Sequence, residues 1–315
     1  MERFLVTGAG GCIGSWVIAQ LAREGVSVVG LDLATDARRL REIAGNELAD
    51  SITIEQADIT SKDEFAAVVD AHEITNIVHL AALQIPFCRD DPTLGARVNV
   101  VGTVNTFEVI RERLSRIRGL VYASSIALFG SNDEKLALAS EDGVGATPDT
   151  LYGVYKQANE GTARVYWNET AIPSIGLRPY TVYGGGRDQG VTSAPTQAIA
   201  AAVRGERYSI PFGGESLYNY APDVAAAFVQ SSRALADGAS VFNVPGTSVD
   251  MADVVGAIER AVPDATGMID FAPDVLLPVP PACAVGGLVA QIGELHVTPF
   301  DEAVRETVEH FQRAS

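Results

Sequence analysis

The stretch Thr7-Gly8-Ala9-Gly10-Gly11-Cys12-Ile13-Gly14 lies between an apolar run, Arg3–Thr7, and a helical pattern that extends to about Glu24. Three of its glycines recur at every third position, which suits a tight turn, close approach of the backbone to a pyrophosphate, and helix-to-strand contact without a Cβ. The start of the helix offers free N–H groups and a favourable dipole to an anion. The stretch therefore predicts a dinucleotide-binding turn, although a glycine-rich turn that binds nothing is the alternative for this motif alone.

An acidic residue at the end of the second predicted strand strengthens that interpretation. Asp32 follows the last glycine of the turn by about 18 residues, near the spacing expected for a carboxylate that accepts the ribose 2′-hydroxyl. Such a carboxylate would repel a 2′-phosphate, so the pattern predicts NAD rather than NADP. Arg38 and Arg39 lie nearby in the sequence and keep NADP as the alternative.

Short apolar runs alternate with helical patterns through the first half of the chain. Near-continuous apolar strands separated by helices are typical of a parallel sheet that is covered on both faces. The sequence therefore predicts an α/β fold with a doubly wound parallel sheet, the Rossmann arrangement. The predicted strands are Arg3–Thr7, Val26–Asp32, Ile52–Ala57, Asn76–Leu80, Gly119–Ser124 and Ser174–Arg178, and an amphipathic helix is predicted at Phe300–Phe311.

The composition changes from about Tyr180, where glycines and prolines cluster. We interpret this change as the start of a smaller, loop-rich lobe that binds the substrate. Val241–Val244 is predicted to return to the sheet as a further strand. The resulting division gives an NAD-binding domain at 1–179, with a returning segment near 220–245, and a mainly substrate-binding, discontinuous lobe at 180–315.

Composition and charge narrow the class of protein. The 315 residues are 47% hydrophobic and 20% charged, an ordinary globular balance, and their formal charge of −17 disfavours binding to nucleic acid or anionic lipid. The three cysteines show neither metal-ligand spacing nor the even count of a disulfide framework, so no metal is expected. No apolar run is long enough to span a bilayer and no signal-peptide pattern is present, so a cytoplasmic location is expected.

Tyr152 and Lys156 stand four residues apart in a helical pattern and so share one face of the helix. A tyrosine has an ordinary pKa of about 10, so it acts as a base near neutrality only where its phenolate is stabilised. A fixed lysine charge provides that stabilisation. Tyr155 has Asn159, not a cation, at the equivalent position. The bland alternative is a half-exposed helix face, because this spacing often arises by chance.

Two serines, Ser124 and Ser125, follow the fifth predicted strand at the sheet edge where doubly wound folds bind ligands. A hydroxyl there can hydrogen-bond a substrate oxygen. The alternative for either serine is a cap on the next turn.

Taken in order, these motifs resemble the extended short-chain dehydrogenase/reductase superfamily, specifically its NAD-dependent epimerase/dehydratase group. The resemblance extends over nearly the whole chain. It rests on TGAGGCIG, Asp32, Ala57-Asp58, HLAA at 79–82, the Asn99, Gly102 and Thr103 pattern, ASSIALFG at 123–130, YGVYK at 152–156 with Glu160, LRPYTVYG at 177–184 and TPFDEAVRETVEHF at 298–311.

The resemblance implies roles for individual residues. Tyr152 corresponds to the catalytic acid/base, Lys156 to its partner and Ser125, rather than Ser124, to the catalytic hydroxyl. Ser125, Thr181 and Gln84 are candidate substrate contacts, Gln84 on the grounds of its loop position. The expected cofactor contacts are Gly8, Gly11, Cys12, Ile13, Gly14, Asp32, Asp58, Ile59, Leu80, Ala81, Ala82, Asn99, Tyr152, Lys156, Pro179 and Val182. His79 is interpreted as a core or adenosine-wall residue.

Two positions depart from the pattern of members that act on nucleotide sugars. Thr181 stands where those members usually carry an asparagine, and Ser216 where they carry an arginine; both of those residues hold the diphosphate. A serine supplies no charge to a phosphate, so these departures count against a nucleotide-sugar substrate. Arg187, Arg204 or Arg207 could substitute for the missing arginine, but we interpret all three as solvated surface charges.

The resulting hypothesis is an NAD-dependent dehydrogenase that oxidises a secondary alcohol of a sugar, sugar acid or polyol-like substrate. The first alternative is an epimerase of the UDP-glucose 4-epimerase kind, which would retain its NADH and return the hydride to the other face of the substrate. A remote alternative is a non-catalytic NAD-binding sensor on the same fold. By analogy with the superfamily, the helices at Asn99–Leu114 and from Tyr152 onward are expected to form a homodimer interface.

Overall fold

A seven-stranded parallel sheet lies at the centre of the computed structural model, which describes residues 1–130, 146–280 and 282–314. Its strands are β1 Arg3–Thr7, β2 Ser27–Asp32, β3 Thr53–Gln56, β4 Asn76–His79, β5 Leu120–Ala123, β6 Ser174–Arg178 and β10 Ala239–Asn243. Their order across the sheet is β10-β6-β5-β4-β1-β2-β3, and every neighbouring pair runs parallel. The predicted doubly wound sheet is thus confirmed, including the late strand that returns to the sheet beside β6.

Helices cover both faces of this sheet. Successive side chains of a strand point to opposite faces, and β1 shows the result: Phe4 and Val6 belong to one apolar cluster and Leu5 to another. The helices are α1 Cys12–Arg23, α2 Arg38–Ala44, α3 Asn46–Ser51, α4 Lys62–Ala71, α5 Ile85–Asp90, α6 Pro92–Ala96, α7 Gly102–Arg111, α8 Leu151–Thr170, α9 Ala194–Val203, α10 Ala221–Arg233, α11 Met251–Ala261, α12 Gly286–Ile292 and α13 Phe300–Ala314. Helices α1 and α10 pack on the first cluster and α4, α7 and α8 on the second.

A further apolar cluster beyond the main sheet is built around two small sheets. One has the order β11-β9-β7 and the other pairs β12 with β8. Helices α9, α11 and α13 pack on them, and the rings of Tyr183, Tyr218 and Phe300 meet at centroid distances of 5.2–6.0 Å. The strands are β7 Thr181–Tyr183, β8 Tyr208–Ile210, β9 Glu215–Tyr220, β11 Thr247–Asp250 and β12 Ile269–Phe271. This cluster lies in the part of the sequence that was interpreted as substrate-binding.

A π-helical segment, Arg97–Val101, joins α6 to α7, so that helical structure extends from Pro92 to Arg111. Such segments are rare in helices and are frequent beside functional sites. None of the helices in the described part of the chain is long and apolar enough to cross a membrane.

Candidate active site

A cleft of about 610 Å³ opens at the carboxyl ends of the central strands. Ligands of doubly wound sheets bind at this edge. Every residue predicted to contact cofactor or substrate lines the cleft except Asn99. The topology therefore gathers residues as far apart as Gly8 and Val182 around one space.

The glycine-rich turn has no room for side chains at its first and last glycines. Gly8 has φ +71°, and a Cβ there would lie 2.9 Å from the backbone nitrogen of Ala81. A Cβ on Gly14 would lie 2.2 Å from the carbonyl oxygen of Gly8. The turn is therefore closely packed against the segment after β4 and the start of α1, and its backbone lines the cleft where a pyrophosphate would bind.

Asp32 is fixed beside that turn. Its two carboxylate oxygens accept hydrogen bonds from the backbone nitrogens of Gly10, at 2.9 Å, and Leu33, at 2.8 Å. The cations that kept NADP as an alternative are engaged elsewhere: Arg38 and Arg39 both pair with Asp188, at 2.8 and 2.7 Å. A carboxylate in the cleft and neutralised arginines beside it suit a free ribose 2′-hydroxyl rather than a 2′-phosphate.

Two residues after β3 and one at the end of β4 belong to the expected adenosine end of the site. Asp58 and Ile59 line the cleft, and Ile59 is buried against Gly102. His79 is buried, and its Nδ1 shares a 2.8 Å hydrogen bond with the hydroxyl of Thr7. Burial lowers the pKa of His79 to about 3, so the imidazole is neutral at physiological pH and serves as a core residue.

Asn99 lies outside the cleft, contrary to its inclusion among the expected cofactor contacts. Its amide nitrogen donates to the carbonyl oxygens of Gly95, at 2.9 Å, and Leu83, at 3.2 Å, and its backbone carbonyl oxygen accepts from the Asn159 side chain at 3.0 Å. The first two bonds hold the side-chain amide against α6 and the loop after β4. Asn99 therefore supports that loop from behind.

Tyr152 lies in the first turn of α8. The hydroxyl of Thr150 caps this helix by accepting from the backbone nitrogen of Gly153 at 3.1 Å. A Cβ on Gly153 would lie 2.4 Å from the carbonyl oxygen of Ala127, so glycine allows the start of the helix to lie directly on the turn after β5. That contact places Tyr152 on the wall of the cleft that Ser125 also lines, and the Ser125 hydroxyl lowers the pKa of the Tyr152 phenol.

Lys156 lies one helical turn further along α8 and is 3% exposed. Its Nζ is 5.5 Å from the centroid of the Tyr152 ring and donates to the carbonyl oxygen of Ala123 at 2.8 Å. The lysine is thus fixed between the end of β5 and the tyrosine, where its charge favours phenolate.

The neighbouring tyrosine and serine are committed to other partners. The Tyr155 hydroxyl donates to the carbonyl oxygen of Pro92 at 2.9 Å. The Ser124 hydroxyl donates to Glu160, which also forms a buried ion pair with Arg178. These contacts leave Tyr152 and Ser125 as the adjacent hydroxyl pair of the cleft.

Comparison with known proteins agrees with this geometry. The profile of the NAD dependent epimerase/dehydratase family matches residues 4–244. The chain belongs to this family. A UDP-glucose 4-epimerase from Mycolicibacterium smegmatis is 31% identical over 273 residues, which cover 85% of this chain and 84% of that protein. NAD is accordingly the cofactor, and the glycine turn with Asp32 fits it.

Solved structures share the fold from end to end. The UDP-glucose 4-epimerase of Thermus thermophilus, in complex with NAD, superposes with a TM-score of 0.81 at 25% identity and full coverage of both chains. An L-threonine dehydrogenase from Clostridium difficile superposes with a TM-score of 0.84 at 23% identity, covering 100% of this chain and 98% of that one. The same architecture thus occurs in proteins named for two different reactions.

The two positions that depart from nucleotide-sugar members of the family contact each other. The Thr181 and Ser216 hydroxyl oxygens are 3.1 Å apart in a hydrogen bond, and both side chains are buried. Thr181 lies on β7 and Ser216 on β9, next to each other in the small sheet. The two hydroxyls carry no charge and are hydrogen-bonded to each other.

The interpretation of Arg187 as a surface charge is wrong, whereas Arg204 and Arg207 are exposed as expected. Arg187 lines the cleft, and its Nη2 donates to the Thr192 hydroxyl at 2.9 Å. Its position directly after the glycines that follow β7 was the available signal, because that loop starts at the cleft edge. Gln84 also lines the cleft, and it lies next to Gly190, which belongs to the same loop as Arg187.

The ionisation of the Tyr152–Lys156 pair depends on burial and on nearby groups. Burial raises the pKa of Tyr152, while the Ser125 hydrogen bond and the Arg187 charge lower it and Cys88 raises it. Burial lowers the pKa of Lys156 to about 8. Near neutrality the lysine is therefore charged and the tyrosine is mainly protonated.

We expect alcohol oxidation to increase from pH 6 to about pH 8, because the fraction of phenolate grows while Lys156 keeps its proton. Above about pH 8 the lysine loses its charge and the support for phenolate declines. Initial rates measured across this range test the shape. The Lys156→Arg variant, whose guanidinium stays charged, should lose the alkaline decline; a decline that persists there would contradict the assignment to Lys156.

Proposed function

We propose that this protein is an NAD-dependent dehydrogenase that oxidises a secondary alcohol of a small substrate without a nucleotide, in the class of sugars, sugar acids and polyol-like alcohols. The observation that carries the proposal is the buried hydrogen bond between Thr181 and Ser216. These residues replace the two side chains that hold a diphosphate in nucleotide-sugar members of the family.

The cleft residues divide the work of this reaction. The hydroxyl of Ser125 holds the substrate oxygen by a hydrogen bond, and the phenolate of Tyr152 accepts the hydroxyl proton as the carbinol is oxidised. Lys156 stabilises that phenolate by its charge. Bound NAD supplies the hydride acceptor. Since Tyr152 and Ser125 line the same cleft, a substrate hydroxyl that enters between them meets both groups at once.

A diphosphate needs cations or several hydrogen-bond donors in its binding site, because its negative charge loses hydration when it binds. Thr181 and Ser216 carry no charge, and a ligand that recruited their hydroxyls would break the bond between them. The described residues therefore favour a substrate whose recognition does not depend on those two positions.

The second candidate is epimerisation of a nucleotide sugar with NAD retained. It is favoured by the Mycolicibacterium smegmatis relative, which matches 85% of this chain and is a UDP-glucose 4-epimerase. The same proton transfer by Tyr152 would serve that reaction, but the oxidised substrate would be reduced again before release.

The deciding experiment follows NADH absorbance with NAD and a panel of free sugars, sugar acids and polyols. It also follows UDP-glucose and UDP-glucuronate by proton NMR in matched samples. NADH formation with a free alcohol supports the dehydrogenase; a flat absorbance trace with stereochemical change of a UDP-sugar supports the epimerase. Binding of NAD with neither reaction would favour the sensor.

We also propose that the protein forms a homodimer through α7 and α8. Apolar side chains stay exposed on α8 and on the stretch from α6 to the π-helical segment that leads into α7: Leu94, Val101, Val154 and Val165 are each 43–48% exposed. A row of exposed apolar residues is typical of an interaction surface. Sedimentation velocity should show a dimer for the wild type and a monomer for Val154→Glu; a monomeric wild type would contradict the proposal.

A further inference from the structure

Arg187 lines the cleft without an acidic partner among residues 1–130, 146–280 and 282–314. Its Nη2 donates to a neutral hydroxyl, that of Thr192, and its Nε is buried with no hydrogen-bond partner there. The adjacent carboxylate, Asp188, is occupied by Arg38 and Arg39. The charge of Arg187 is therefore left uncompensated within the described structure.

The buried Nε of Arg187 lacks a hydrogen bond to any described residue that would offset its loss of hydration. A guanidinium that is withdrawn from water needs a counter-charge and hydrogen bonds to its nitrogens. Other partly or fully buried arginines of this acidic chain meet that need: Arg113 pairs with Asp70 at 2.6 Å and Arg178 with Glu160 at 2.7 Å. An anionic ligand would supply Arg187 with the counter-charge and hydrogen bonds that Asp70 and Glu160 supply to Arg113 and Arg178.

The position of Arg187 indicates where on the ligand the anion lies. Arg187 and Tyr152 line the same cleft, and the Arg187 charge lowers the pKa of the Tyr152 phenol. A Cβ built on Gly190 would lie 3.7 Å from its Nη2 and 2.6 Å from Oε1 of Gln84. The guanidinium and the Gln84 amide thus converge beside Gly190 on the wall of the cleft.

We infer that Arg187 binds a carboxylate of the substrate, so that the alcohol oxidised belongs to a hydroxy acid. The planar guanidinium matches a carboxylate in a two-bond geometry, and Gln84 adds a neutral donor. This inference rests on the proposed dehydrogenase function and narrows its substrate class. Two other anions compete for this arginine: the pyrophosphate of NAD, since the Arg187 charge also acts on Cys12 in the glycine turn, and the diphosphate of a nucleotide sugar, since Arg187 is one of the arginines that could substitute for the missing one. Binding of UDP-glucose that is lost in Arg187→Gln would assign the arginine to that diphosphate and overturn the inference.

The test compares matched acid and neutral ligands. Isothermal titration of the NADH-loaded enzyme uses D-gluconate against D-glucitol, D-erythronate against erythritol, and L-threonine against L-threoninol. The oxidation rates of the same six compounds are measured with NAD. In at least one pair we expect the acid to be preferred about 10²-fold by the wild type, the scale of a charged hydrogen-bonded contact, and by less than about 3-fold in Arg187→Gln.

Two variants and one further measurement separate this role from others. Arg204→Gln removes an exposed arginine of equal charge and should keep the wild-type preference, and Arg187→Lys should keep part of it because charge remains without the planar fork. The Kd of NAD should stay within about 2-fold of wild type in Arg187→Gln. A weaker Kd of NAD with an unchanged acid preference would assign Arg187 to the pyrophosphate and overturn the inference.

The failure of the inference differs from that of the proposed function. Oxidation of neutral and acidic alcohols alike, or an acid preference that survives Arg187→Gln, overturns the carboxylate site and leaves the dehydrogenase. Arg187-dependent binding of an acid without NADH formation from any compound supports the site and overturns the dehydrogenase. No binding and no oxidation across the six compounds overturns both.

Discussion

Tyr152→Phe should lower kcat/KM for alcohol oxidation by about 10²–10⁴-fold, because positioned proton transfer typically contributes that much. Tyr152 and Ser125 line the same cleft, and phenylalanine keeps the ring beside Lys156 while it removes only the phenol oxygen. The Kd of NAD should change by less than about 3-fold, because the glycine turn and Asp32 are untouched. Steady-state rates and fluorescence titration with NADH measure the two quantities.

Tyr155→Phe provides the matched control for this prediction. Tyr155 lies on the same helix, and its hydroxyl donates to the carbonyl oxygen of Pro92 rather than to a group of the cleft. Its loss should cost no more than one ordinary hydrogen bond in stability, about 1 kcal/mol, and leave kcat/KM within about 2-fold. A Tyr152→Phe enzyme that turned over like Tyr155→Phe would remove Tyr152 from the proton transfer.

Much of this site could be predicted from sequence because its determinants are local. The glycine turn needs small residues at fixed spacing, and Asp32 comes at the end of the strand that follows. Lys156 and Tyr152 are one helical turn apart. Each of these patterns is set by the geometry of a single turn, strand or helix, and the structure places all of them on one cleft.

The rest depends on contacts between distant segments, which spacing along the chain does not encode. The departures at positions 181 and 216 were visible in the sequence, but their mutual hydrogen bond follows from β7 pairing with β9. The sequence predicts a surface cation at Arg187, whereas the loop after β7 places this residue on the wall of the cleft. Asn99 is included among the expected cofactor contacts only because of the family resemblance, yet its amide nitrogen donates to the backbone carbonyl oxygens of Gly95 and Leu83.

The largest expected effect on stability comes from Glu160→Gln. Arg178 is 1% exposed and pairs with both oxygens of Glu160, at 2.7 Å each, with its guanidinium 5.2 Å from the Phe129 ring centroid. Glutamine keeps the shape of the side chain and removes its charge, so the buried guanidinium of Arg178 loses the carboxylate that it contacts through two hydrogen bonds. We expect the free energy of unfolding to fall by about 3–5 kcal/mol, as measured by urea denaturation.

Two comparisons test whether burial of the ion pair determines how much stability is lost. Arg111→Gln breaks an exposed pair with Glu108 and should cost less than about 1 kcal/mol. The double variant Glu160→Gln/Arg178→Met removes both charges and should recover part of the loss, since an apolar side chain of similar length needs no partner. If Glu160→Gln were no more destabilising than the exposed pair, the carboxylate would not be the counter-charge of Arg178. Glu160 contacts both Ser124, at the end of β5, and Arg178. That result would also mean that these contacts do not hold the end of β5, where the Ala123 carbonyl oxygen accepts from Lys156.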